Sequence, residues 1–134
     1  MIGLEEYRSI VSELLDELPE EFFRELTGGV VVSEAALAPD YAVGGDLYTL
    51  GQYRTYHGVR QIVMYKGSFD RVHPRADAER ARELLRGVLR HEFRHHLEAL
   101  GGIRNSTSLE AEDRRRKEAY LARKREEEEH TPGK

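Results

Sequence analysis

The chain contains no cysteine. That absence excludes disulfide scaffolds, thiolate zinc fingers, iron–sulfur sites and cysteine nucleophiles, and any metal must then be held by His, Asp and Glu. No run approaches the roughly 18 apolar residues of a membrane-spanning helix. The stretch MIGLEEYRSI has acids where a signal peptide carries bases, and no continuous apolar segment follows it. No membrane association is therefore expected, and a cytoplasmic location is. A basic excess is also missing. Against 21 Lys and Arg stand 25 Asp and Glu, for a net charge of −4, which argues against a nucleic-acid partner. There is no Gly-rich phosphate loop and no internal repeat.

What is present suits one domain over 1–134. Hydrophobic residues make up 39% of the 134, enough for one modest core, and the 34% that are charged belong on exposed helices. Leu4, Tyr7, Val11, Leu14, Leu15 and Leu18 recur at spacings of three and four, which predicts an amphipathic helix over 3–18. A short helix is expected from Glu20 to Leu26, stopped by Thr27-Gly28-Gly29. Strands are expected at Val30–Val32, Asp46–Leu50, Gln52–Tyr56 and Val59–Tyr65, the last ended by Lys66-Gly67-Ser68. A long helix should run from about 75 to 100, closed by Gly101-Gly102. Asn105 to Ser108 hold helix-capping residues, with Thr107 and Glu110 as a capping box for a charged last helix over 109–128. The tail from about 126 is expected to fray. The fold class is therefore α+β: flanking N- and C-terminal helices, a small mixed or antiparallel sheet, and a long helix near the end.

That long helix carries His91-Glu92-Phe93-Arg94-His95, an HExxH motif. Residues i and i+4 of a helix lie about 40° apart in azimuth and about 6 Å apart along the axis. Two imidazoles so placed can converge on one ion at zinc–nitrogen distances of about 2.0–2.1 Å. Glu92 is rotated about 100° from His91, so its carboxylate can act as general base on a zinc-activated water without being a ligand. His96 faces away from His91, and Arg94 is four residues from Glu98. His57 and His73 fall in loops. Val59–Tyr65 is either a cleft strand that pairs with an extended peptide or an inner strand of the sheet. Arg114-Arg115-Arg116-Lys117 is balanced by nearby acids and reads as a solvated face.

Several patches resemble a family of small bacterial zincin-like metallopeptidases, the minimal metalloproteases. These are Leu18-Pro19-Glu20-Glu21-Phe22, Gly28-Gly29 with the β-run after it, Leu50-Gly51-Gln52-Tyr53, and Ile62-Val63-Met64-Tyr65-Lys66-Gly67-Ser68-Phe69. The most specific is Leu89-Arg90-His91-Glu92-Phe93-Arg94-His95-His96-Leu97-Glu98, similar to the branch whose active helix reads H-E-L-R-H-H-L-E. The resemblance spans about 18–121. It implies a zincin-like fold and a zinc peptidase acting on peptide or protein substrates, with His91 and His95 as ligands and Glu92 as base.

The third ligand is open. One form of the family supplies it six residues after the second His, where this chain has Gly101, which cannot coordinate. Glu98 shares a helix face with His91 and His95 but lies about 10 Å along the axis from His91. The alternative is the acidic start of the last helix, Glu110, Glu112 or Asp113, with Asp113 favoured. The competing function is a non-catalytic zincin-like binding or regulatory module with a structural metal.

Overall fold

Apolar side chains three and four apart build the first wall of the core. In the computed structural model, which describes residues 1–39, 47–101 and 117–125, they form helix α1, Leu4–Asp16, with Tyr7, Ile10, Val11 and Leu14 buried. After Pro19 the chain makes one 3-10 turn, Glu20–Phe23, where the sequence suggests a helix to Leu26. Arg24 and Glu25 end it: Arg24 has an extended ψ of 130° and Glu25 a left-handed φ of 60°, so the helix cannot continue to Leu26.

Three strands follow: β1, Gly29–Ser33; β2, Gly51–Tyr56; and β3, Val59–Tyr65. They form a mixed sheet in the order β1-β3-β2. β1 is parallel to β3, with Val31 opposite Val63, and β2 is antiparallel to it, with Tyr53 opposite Ile62. The β2–β3 hairpin closes through His57 and Gly58, whose φ values of 50° and 79° are the left-handed pair of a type I′ turn. The strand expected over 46–50 is reduced, among its described residues, to a single bridge between Thr49 and Leu37. β3 is the central strand. Its two edges are taken by β1 and β2, so it is the inner strand of the two alternatives and does not pair with a substrate peptide.

Helix α2, Lys66–Val72, begins directly after β3, where the sequence suggests only a strand end. Gly67 allows it, because a Cβ there would lie 2.5 Å from the Glu34 carbonyl oxygen on the chain leaving β1. Helix α3, Ala78–Gly101, starts three residues later than expected. Asp77 sets that start by accepting the Arg80 N–H at 2.9 Å, an N-cap bond.

The core lies between α1, α3 and one face of β3. It joins Tyr7, Ile10, Val11 and Leu14 to Ile62 and Met64, and these to Ala81, Leu85, Leu89 and Phe93. Burying a Leu or Phe of this kind contributes about 1.5–3 kcal/mol. Phe93 also meets the rings of Phe22 and Phe23, with centroids 6.3 and 5.2 Å away. Outside the core, Arg86 grips both oxygens of Glu17 at 3.0 Å and Arg82 pairs with Glu13. Such exposed pairs are screened by water and add little, so burial dominates.

The chain divides into two compact units, Met1–Leu97 and Glu98–Lys134. In the second, residues 117–125 are helical, with Tyr120 buried. The capping cluster at 105–108, the acids Glu110, Glu112 and Asp113, and the tail from 126 lie outside the described residues. No helix among the described residues is long and apolar enough to cross a membrane.

Candidate metal centre

One turn of α3 brings His91 and His95 together. Their Nε2 atoms are 2.9 Å apart, with ring centroids at 4.5 Å and planes at 89°. Two nitrogens that close must share something between them, a proton on one ring or a cation held by both. A zinc ion bonded at about 2.0–2.1 Å to two nitrogens separates them by about 3.3–3.4 Å when tetrahedral. The rings would open by about half an ångström to accept it, so the pair fits a metal.

Glu92 is buried, with only 6% of its surface exposed. Gly51, the first residue of β2, makes the room: a Cβ there would come within 2.7 Å of Val88 Cγ1, 3.3 Å of Glu92 Cγ and 3.4 Å of Met64 Sδ. The start of the edge strand therefore lies on the Glu92 side chain. In azimuth around α3, Glu92 falls between the core-facing Leu89 side and the His pair.

Of the acids expected to complete the site, Glu98 is half-buried near the end of α3, in the second unit. Asp113 lies outside the described residues. Among the described residues, no group of three His, Asp or Glu closes on one point.

His96, one residue past the motif, is fully buried. Its Nε2 lies 2.8 Å from the Arg24 carbonyl oxygen and its Nδ1 lies 2.8 Å from the Tyr53 hydroxyl. Burial raises the Tyr53 pKa, and the neighbouring Arg60 guanidinium opposes that rise. The motif does not reveal these contacts, but a signal for the burial exists. His96 is seven residues beyond Leu89 and three beyond Phe93, on the core stripe of the helix. Gly51 reads from the sequence only as a strand terminator, and its contact with Glu92 has no local signal. Arg94 is exposed. The other two histidines among the described residues, His57 and His73, are elsewhere, in the loops the sequence suggests. His57 packs edge-on against Tyr56 at the hairpin tip, 5.1 Å between centroids. His73 ends α2 against Phe69, and burial, then Arg80, holds its pKa below the usual histidine value.

No family model matches the sequence, and no curated protein matches it. Among solved structures the chain is similar to a conserved hypothetical protein from T. thermophilus. The two are 30% identical with a TM-score of 0.61, over 75% of this chain and 98% of that one.

Proposed function

We propose that this chain, which belongs to the family of the T. thermophilus conserved hypothetical protein, is a zincin-like zinc metallopeptidase acting on peptide or protein substrates. The observation that carries the reading is the pair of opposed Nε2 atoms of His91 and His95, 2.9 Å apart on the helix that also carries the buried Glu92. The likeness of residues 89–98 to the active helix of the minimal metalloproteases supports it.

His91 and His95 would hold zinc through Nε2, with Asp113 as the proposed third ligand and Glu98 as its alternative. Zinc, when bound, lowers the pKa of water toward about 7 and polarises a carbonyl. Glu92 supplies the proton transfers. Its carboxylate takes a proton from the attacking water as the new C–O bond forms at the scissile carbonyl carbon. The same carboxyl group then returns that proton to the leaving amine nitrogen as the C–N bond breaks. Burial under Gly51 narrows the rotamers open to Glu92, which favours a fixed direction for both transfers. β2, at the sheet edge among the described strands, offers main-chain groups to an extended peptide.

The test is metal content and peptide cleavage, measured together on protein purified without a nickel column. We expect about one zinc per chain and cleavage of an unbiased peptide library. Glu92→Gln should keep the zinc and lower turnover by about a hundredfold or more. If Glu92→Gln loses the metal, Glu92 is a ligand. A zinc-loaded wild type with four protein ligands and no cleavage indicates the non-catalytic module with a structural metal.

A further inference from the structure

Two polar side chains on α3 are buried, Glu92 and His96, and the proposed reaction uses only the first. A histidine with no exposed surface needs partners for both ring nitrogens. His96 has them, and their chemistry determines its proton. The Arg24 carbonyl can only accept, so His96 Nε2 carries the hydrogen and donates it at 2.8 Å. In the neutral imidazole Nδ1 is then bare, and it accepts the Tyr53 O–H at 2.8 Å. The imidazole thus ties three elements: the backbone after the 3-10 turn, α3, and the edge strand β2.

The spacing of these ties matches the active helix. From Gly51 to Tyr53 a strand advances about 7 Å, and from Glu92 to His96 a helix advances about 6 Å. β2 therefore meets α3 twice, one turn apart. Gly51 lies on Glu92, and Tyr53 bonds to His96. The Gly51 contact is van der Waals packing, which tolerates sliding along the helix axis. The Tyr53 bond is directional and does not.

We infer that His96 is a positioning residue for Glu92: through Tyr53 it fixes where β2 sits along α3, and so where Gly51 bears on the Glu92 side chain. The catalytic part of this inference rests on the reading of Glu92 as general base; the strand-positioning part does not.

Tyr53→Phe tests it by removing one oxygen and keeping the ring packed. In the full chain, amide hydrogen exchange over 51–53 should speed several-fold while α1 and β1 keep wild-type protection. Nitrogen NMR should show His96 Nε2 still protonated and a changed signal at Nδ1. With zinc content unchanged, kcat should fall about tenfold, the lower end for an outer-sphere partner, and by more than KM rises. Val30→Ala, which loosens the core at β1 away from this bond, should leave kcat intact. Unchanged exchange over 51–53, or exchange raised equally in every element, overturns the inference. So does a loosened β2 with wild-type kcat. If wild type cleaves no peptide, the peptidase reading fails, and exchange and nitrogen spectra alone decide whether His96 positions the strand.

Discussion

His95 and His96 are neighbours on α3 with opposite surroundings. His95 is half-buried and faces another histidine, nitrogen to nitrogen. His96 has no exposed surface, and each of its nitrogens has a hydrogen-bond partner in the fold. A rotation of about 100° separates them. One side of the helix thus presents a nitrogen pair that a cation can bridge, and the other has committed its nitrogens to the fold. The residue type does not distinguish the two roles; the stripe on which each residue falls does.

Removing the pair on the open side should have the largest effect on metal and little on folding. His91→Ala with His95→Ala should take zinc from about one per chain to none by mass spectrometry. Urea unfolding of the metal-free form should shift by less than about 1 kcal/mol, as for partly exposed positions. Full zinc retention would erase the distinction between the two sides. Phe93 lies between the two motif histidines in sequence but faces the core, and Phe93→Ala should cost about 3–5 kcal/mol in the same assay. A loss under about 1 kcal/mol would mean that this side of α3 is not the packed one.

A smaller effect is expected at Gly51, where strand and helix touch. Gly51→Ala puts a methyl 2.7 Å from Val88 Cγ1 and should cost about 1–3 kcal/mol by overpacking. Val88→Ala in the same chain should recover part of it. Additive losses would show that the two do not touch. The smallest effect concerns a fourth histidine. Burial lowers the pKa of His73 in the folded chain, so the unfolded chain takes up its proton first as pH falls. The stability His73 contributes is complete above about pH 6.5, and it is lost as pH drops through the lower folded value. Unfolding midpoints, followed from about one pH unit above that reference to about one below it, should slope less in His73→Gln than in wild type.

Periodicity made much of this legible. The spacing of Leu4, Tyr7, Val11 and Leu14 marks α1, the β-branched run marks β1, and HExxH places the paired histidines on one helical face. What stayed hidden depends on residues far apart in sequence. β3 is central because β1 returns parallel to it, a pairing that no local pattern specifies. α2 begins at Lys66 because Gly67 meets the backbone at Glu34 and Ala35, more than 30 positions earlier in the chain. The early end of the 3-10 turn rests on an extended Arg24 and a left-handed Glu25, conformations that their residue types do not announce. Burial of His96 is readable from its place on the stripe, but its partners are not, since Arg24 and Tyr53 come from two other elements.

The apolar face of α1 finds its match on a helix made much later. Tyr7, Ile10, Val11 and Leu14 pack in one cluster with Leu85, Leu89 and Phe93. At about 5–20 residues per second, a ribosome needs about 4–16 s to pass from the first group to the last. For that interval the emerging chain carries an uncovered greasy helix face whose partner has not been synthesised. α1 is accordingly where a chaperone would hold the nascent protein and where stalled synthesis would lead to aggregation.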